Sequence, residues 1–270
     1  MNKKIKQNFI YPKIDHKTRT FGSTLSSPVL NIDGDWRSYL PPVEDQKRRG
    51  VESSACFIEA QQHAIATILE FKYSIIDSNY SARFNALLSD GTEWGGDPIV
   101  GIDSMRKDGL VKEESMPFNE DITSWEDYHS WKGVNKEEVL KEGKEFADKW
   151  KINYRITVEK DMPLEVKYAN IKRDLRYSSV CVSVYGEVDA NGNYIPKPEL
   201  ASDTHFTECV YVDDQNRIHL RDTYAPYDKM LPANYNPDFG MSYIVTKLSS
   251  KKKESWFRFL LNLIKKLIWG

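Results

Sequence analysis

The pattern of apolar residues changes near residue 150, and this change limits the fold more than any single motif does. From Cys56 to about Tyr73 apolar side chains recur every three or four residues, which predicts a helix with one buried face. Beyond residue 150 the chain reads as strands instead, most clearly at 152–159, 180–184 and 205–212. A helical first half followed by an antiparallel second half predicts an α+β fold with two lobes, residues 35–150 and 151–250.

Two segments flank this body. Residues 1–34 are polar and weakly patterned, and we expect an extension that lies on the surface or is partly disordered. Residues 251–270 carry six Lys or Arg against one Glu, with basic and apolar side chains on opposite faces of a helix. Such a basic amphipathic helix binds a membrane surface or a protein partner, or it packs on its own body, and all three readings stay open.

Composition excludes several classes of protein. The 270 residues are 40% hydrophobic and 29% charged, which predicts a globular chain, and the net charge of −2 argues against nucleic acid as a partner. Three cysteines without a CxxC pair predict neither a disulfide framework nor a zinc site, and we expect no metal or cofactor. No apolar run has the length of a signal peptide core or a membrane span, so we expect a cytoplasmic protein. Peripheral membrane association and virion association stay open as alternatives.

One of the three cysteines, Cys56, stands at the predicted start of the first helix, after Ser53 and Ser54, which are suited to cap it. The free N–H groups and the dipole of a helix N-terminus favour a thiolate, and they can stabilise an oxyanion. A buried and unreactive cysteine is the alternative, because free cysteines usually behave as small apolar side chains.

A nucleophilic thiol needs a base, a group that orients the base, and donors for the oxyanion. Among the five histidines, His205 is the predicted base, because it follows a polar turn and opens a strand at the edge of a lobe. Asp222 ends the strand that pairs back on this one, so we expect it to accept the imidazole Nδ1–H. Gln46 is the predicted side-chain donor to the oxyanion, beside the Cys56 N–H. Taken alone, Asp222 and Gln46 also fit ordinary turn and loop residues.

Over roughly residues 35–247 the chain resembles the papain-like cysteine peptidases. The resemblance rests on six short motifs in the order of that family, which here read Asp35-Trp36-Arg37, Pro42-Val43-Glu44-Asp45-Gln46, Ser54-Ala55-Cys56-Phe57, Gly95-Gly96-Asp97-Pro98, Thr204-His205-Phe206 and Asp222-Thr223-Tyr224. It implies a helical lobe that carries Cys56, an antiparallel β-barrel-like lobe that carries His205, and an active site in the cleft between them. It also implies that Gly95 and Gly96 bind the substrate backbone, and that Tyr224 shields the His205–Asp222 contact from water.

The chain also departs from the family pattern. The loop from Gln46 to Cys56 is longer than in papain, Phe57 replaces a tryptophan, and Asp222 replaces an asparagine. The disulfide cysteines of secreted members are missing, and the first 34 residues are shorter than the usual inhibitory prosegment. Together these departures suggest an intracellular, microbial or phage-type relative. The expected function is a cysteine endopeptidase that acts on a peptide or protein substrate. A catalytically silent papain-like module in a larger assembly, and acyl transfer by the same residues, are the alternatives.

Overall fold

The structure is a computed structural model that describes residues 3–4, 9–12, 30–76 and 78–248. The predicted helix at 251–270 lies outside these residues, as does most of the N-terminal extension. Within the described ranges, no helix is both long enough and apolar enough to cross a membrane.

Helix α1 (Cys56–Tyr73) has the predicted bounds and is buried along most of its length. It contains no Gly or Pro, and Ser74 ends it in the left-handed conformation with φ 54°, donating its N–H to the Glu70 carbonyl. The prediction of a serine cap was wrong. The N-cap position is Ala55, and Ser54 adopts a φ of 56° and donates its hydroxyl to the Glu93 carbonyl at 2.8 Å instead.

Further helices accompany α1, and two of them carry the predicted caps. Asp97 accepts the Ile99 N–H at 2.7 Å, and Asn135 accepts the Glu137 N–H at 3.1 Å. Two short helices, the first and third in the list below, have no equivalent in the sequence prediction. The described helices are α2 (Ala82–Leu88), α3 (Pro98–Asp108), α4 (Trp125–Tyr128), α5 (Lys136–Lys149) and α6 (Leu164–Asp174), with a 3-10 turn at Arg37–Tyr39.

Most of the second half forms strands, namely β4 (Trp150–Val158), β5 (Val180–Val184), β7 (His205–Val212), β8 (Ile218–Arg221), β9 (Asp228–Met230) and β10 (Gly240–Lys247). They make a six-stranded antiparallel sheet in the order β4-β10-β5-β7-β8-β9. Its edge strands, the first and last in this order, do not pair with each other, so the expected β-barrel-like lobe is wrong for the described residues. Layers cover both faces of the sheet, and the buried faces need no closure of the sheet on itself.

The contact between α1 and the sheet fixes the start of the helix against the start of β7. Phe206 belongs to the apolar core that α1 shares with the sheet, while Val182 and Trp36 belong to the core on the other face. The Cys181 thiol donates to the Ala60 carbonyl at 3.1 Å and so ties β5 to α1. A hydrogen bond from the Phe206 backbone N–H to Cys56 places the first residues of α1 beside the start of β7.

Two pairs of short strands complete the described fold. Strands β2 (Lys47–Arg48) and β3 (Val51–Glu52) form a hairpin before α1, and β1 (Lys3–Lys4) pairs with β6 (Glu187–Val188). Phe9 is buried, and its ring stacks on Phe206 with 5.6 Å between centroids. The expectation of a surface extension is therefore wrong at Phe9, whose apolar ring completes the core beside β7.

Candidate active site

Cys56 is the first residue of α1, and its side chain is fully buried. Burial raises the pKa of the thiol well above its usual value, whereas a hydrogen bond from the Phe206 backbone N–H lowers it. The nearby Glu59 and Glu52 carboxylates, together with Asp222, raise the pKa further. The sulfur thus lies beside the residue that follows His205, in surroundings that favour its protonated form.

His205 opens β7 with its ring fully buried, and its Nε2 lies 2.8 Å from Asp222 Oδ1. The predicted contact between these two residues is present, but through the other ring nitrogen: the sequence prediction had assigned it to Nδ1. The Nδ1 atom is buried and has no hydrogen-bond partner among the described residues. When Nε2 donates its hydrogen to a carboxylate, Nδ1 of the neutral ring is free of a proton and can accept one. This is the arrangement that a general base requires.

The Asp222 carboxylate is fully buried and receives donors at both oxygens. Oδ1 accepts from His205 and from the Thr223 N–H at 2.7 Å, and Oδ2 accepts from the Tyr194 hydroxyl at 2.6 Å and Lys229 Nζ at 2.5 Å. Burial by itself raises the pKa of Asp222, but the charge and hydrogen bond of His205, followed by those of Lys229, outweigh it and hold the pKa below its usual value. Asp222 is therefore a carboxylate that is anchored in one orientation.

Tyr224 lies against His205, with 5.4 Å between the ring centroids. Its backbone carbonyl accepts from Lys229 Nζ at 2.7 Å, and its hydroxyl contacts the Gln46 side-chain amide. Burial, and then the negative charge of Glu52, raise the pKa of the phenol. The ring thus connects the histidine to the residue predicted to hold the oxyanion.

Gln46 is fully buried, and its side-chain amide is fully engaged within the protein. Its Nε2 donates to Glu52 Oε1 at 2.9 Å and also to the Tyr224 hydroxyl, while its Oε1 accepts from the Thr223 hydroxyl at 2.7 Å. Both amide hydrogens have acceptors, so Gln46 can reach an oxyanion only after giving one of them up.

The long loop between Gln46 and Cys56 is the β2–β3 hairpin. Its turn has positive φ at Arg49 (51°) and Gly50 (85°), as a two-residue type I′ turn requires. The Ser53 N–H donates to the Gln46 carbonyl at 2.9 Å and closes the base of the hairpin. The insertion therefore leaves Gln46 next to the start of α1, and it adds a carboxylate, Glu52, that the sequence analysis did not single out.

Gly95 and Gly96 lie in a tight turn whose backbone groups are already in use. Gly95 exchanges hydrogen bonds with Thr92 in both directions, at 2.9 and 3.0 Å, and the Gly96 carbonyl accepts the Ile10 N–H at 3.2 Å. A Cβ at Gly96 would come within 2.3 Å of the Phe57 ring, so only glycine fits there. The backbone predicted to pair with substrate is thus paired with the N-terminal segment.

None of the other described histidines combines full burial with a carboxylate partner. His63 is buried within α1, and burial lowers its pKa to about 4. His129 stacks on Trp125, and His219 lies 3.1 Å from Asp213 on the far part of β8. No group of three or more His, Cys, Asp or Glu side chains suited to a metal ion occurs in the described ranges.

Comparison with solved structures assigns the fold. Xylellain, a cysteine protease from Xylella fastidiosa, matches with a TM-score of 0.61 at 15% identity, over 92% of this chain and 99% of that one. The bromelain protease from Ananas comosus, solved with the inhibitor E64, matches with a TM-score of 0.53 at 13% identity, over 81% and 99% of the two chains. No family model and no curated protein sequence matches the chain.

These structural neighbours are papain-like cysteine proteases, and the chain has the papain-like α+β fold that the sequence predicted. At such low identity the similarity is one of fold, and the chemistry has to be argued from the residues themselves.

Replacing Glu52 with Gln tests the effect of this carboxylate on the thiol. Glu52 raises the pKa of Cys56, so the substitution removes a negative charge and the thiolate should form at lower pH. We expect the acid limb of Cys56 alkylation by iodoacetamide to move down by about half a pH unit. Glu52→Asp, which keeps the charge, is the matched control. An unchanged limb, or a move to higher pH, would contradict this account.

Proposed function

We propose that this protein is a cysteine peptidase that hydrolyses peptide bonds through Cys56, His205 and Asp222. The observation that carries the proposal is the buried hydrogen bond from His205 Nε2 to Asp222, with Nδ1 left without a partner at the end of the interface where α1 begins. The papain-like fold supports it, since the structural neighbours are cysteine proteases.

The proposed reaction begins with transfer of the Cys56 thiol proton to His205 Nδ1. The thiolate then attacks the carbonyl carbon of the substrate, and the imidazolium gives its proton to the leaving amine. Water, deprotonated by the same nitrogen, then hydrolyses the thioester. Asp222 holds Nε2–H throughout, so the ring presents Nδ1 to the sulfur and to the leaving group in turn.

The oxyanion forms beside the start of α1, where the helix dipole favours negative charge. The proposed donors are the Cys56 N–H and Gln46 Nε2. Because Glu52 and Tyr224 now accept both Gln46 hydrogens, the amide has to turn from one of them toward the substrate. The approach of a peptide carbonyl supplies the replacement acceptor.

Gly96 is proposed to pair with the substrate backbone. Its carbonyl now accepts the Ile10 N–H, and residues 9 and 96 form a parallel bridge. A peptide substrate therefore has to displace the Ile10 contact to use this carbonyl. The N-terminal segment competes with substrate as long as Phe9 keeps it docked on Phe206.

Selective modification of Cys56 tests the nucleophile. Iodoacetamide should alkylate Cys56 faster than Cys181 or Cys209, as read by peptide mass spectrometry, because only Cys56 has a base and a helix N-terminus beside it. Cys56→Ala should lower casein hydrolysis at least about a thousandfold. Cys181→Ala and Cys209→Ala, which alter thiols in the core, are the controls and should keep the activity. Equal labelling of the three thiols would disprove the assignment.

Ile10→Pro tests the competition at Gly96. Proline has no N–H, so the Gly96 carbonyl loses its donor while the chain stays extended. A backbone hydrogen bond has a net value of about 1 kcal/mol, so the KM for casein should fall about fivefold, with kcat little changed. Ile10→Val keeps the N–H and should behave like the parent protein. A KM that stays the same or rises would show that this contact does not compete with substrate.

A further inference from the structure

Lys229 is a buried lysine on an edge strand. It is the middle residue of β9, where Asp228 and Met230 point to solvent, and only 5% of its surface is exposed. Taking an ammonium group out of water costs several kcal/mol unless it is paired and hydrogen-bonded. Lys229 therefore needs a partner of opposite charge.

That partner is the carboxylate that holds the proposed catalytic histidine. Lys229 Nζ lies 2.5 Å from Asp222 Oδ2, and His205 Nε2 lies 2.8 Å from Oδ1 of the same group. The Tyr224 carbonyl accepts a second Lys229 hydrogen at 2.7 Å, and the ammonium lies 5.3 Å from the centroid of the Tyr194 ring. Lys229 and His205 thus bind opposite oxygens of one buried carboxylate.

We propose that Lys229 is a positioning residue for the proposed peptidase reaction, because its ammonium cancels the charge of Asp222 and lets a carboxylate orient His205 as a neutral amide would. This inference rests on the proposed function. Through Asp222 it assigns a role in that reaction to a lysine on the edge strand β9.

The charge balance matters because the two groups that lose a proton in the proposed reaction, the Cys56 thiol and the His205 imidazolium, both lie near Asp222. An uncompensated negative charge there opposes formation of the Cys56 thiolate, whose pKa Asp222 already raises. The same charge retains the proton on the imidazolium. Without Lys229, therefore, both the acid and the alkaline limb of the activity profile should move to higher pH.

Few other ionisable groups surround the pair. In the described residues, the groups that face the Lys229–Asp222 pair or shift the pKa of the Cys56 thiol come from four places. They are Cys56 and Glu59 on α1, Glu52 on β3, Tyr194 after β6, and Tyr224 between β8 and β9. The tyrosines carry raised pKa values, first because they are buried and next because of negative charges nearby. None of these groups is a cation, and Lys229 supplies the positive charge that meets Asp222 opposite His205.

A purely structural role is the alternative. An inward-pointing charge on a short edge strand also discourages pairing with other chains. In that case the loss of Lys229 lowers stability and rate without moving either pH limb. The two roles therefore predict different pH profiles.

Four proteins separate these roles: the parent, Lys229→Gln, Asp222→Asn, and the double variant. In the double variant the carbonyl of the introduced glutamine can accept from the amide of the introduced asparagine, and the glutamine amide can donate to the Tyr224 carbonyl. The readouts are initial rates on fluorescein-labelled casein against pH, and the rate of Cys56 alkylation by iodoacetamide against pH. Near-ultraviolet circular dichroism checks the fold of each protein.

We expect Lys229→Gln to move both limbs up by about one pH unit, and Asp222→Asn, which leaves the ammonium without its counterion, to move them down by a similar amount. Each single change should lower the casein rate about tenfold at neutral pH. The double variant should return both limbs to within about 0.3 unit of the parent and be at least fivefold faster than Asp222→Asn.

Tyr194→Phe is the matched control, because it removes a neutral donor from the same Oδ2 atom and should move the limbs far less than Lys229→Gln. Unshifted limbs in Lys229→Gln, or additive losses in the double variant, would overturn the role of Lys229 while the peptidase stands. If Lys229→Gln does not fold, the comparison of Asp222→Asn with the double variant decides. A parent protein that neither cleaves casein nor alkylates selectively at Cys56 would overturn the proposed function, and this inference with it.

Discussion

The burial of the Asp222 carboxylate sets the strictest requirement on this structure. A buried anion is tolerated only when donors fill its oxygens, and here they come from four separate places in the chain. His205 begins β7, Thr223 follows β8, Tyr194 comes from the hairpin after β6, and Lys229 comes from β9. The pairing of β7, β8 and β9 therefore does more than bury apolar area, because it delivers the donors that hold the histidine ring.

A second consequence of the packing is that the groups proposed to bind substrate are satisfied by the chain itself. The Gln46 amide donates to Glu52 and Tyr224, and the Gly96 carbonyl accepts from Ile10. Unsatisfied buried polar groups are costly, so these contacts stabilise the protein in the absence of substrate. A substrate then gains only the difference between its own hydrogen bonds and those it replaces. In the proposed reaction this would favour extended peptides that replace several contacts at once over short ones that replace a single contact.

The sequence predicted well those features whose signals are local. Periodicity gave the bounds of α1 and β7, and the cap residues of α3 and α5 were read from Asp97 and Asn135. It missed β9 and the inward direction of Lys229, because a three-residue edge strand is defined by its pairing with β8 and not by its own pattern. It also placed the wrong nitrogen of His205 on Asp222, since the rotation of the ring is decided by tertiary contacts. Nor could the sequence show that both amide hydrogens of Gln46 are occupied, because their acceptors, Glu52 and Tyr224, meet Gln46 only in the folded chain.

If Asp222 fills the place of the asparagine of papain-like peptidases, as the resemblance implies, its presence and the burial of Lys229 are best understood together. A carboxylate alone would add a full negative charge to a site where a thiolate has to form, and a buried ammonium alone would lack a counterion. Together the carboxylate and the ammonium have a net charge of about zero, as a neutral amide would have. The carboxylate is also a stronger acceptor than an amide oxygen, so the bond to Nε2–H fixes the tautomer of His205 more firmly. In the proposed peptidase, the ion pair would combine tight orientation of the base with an electrostatic field that still allows the thiol to lose its proton.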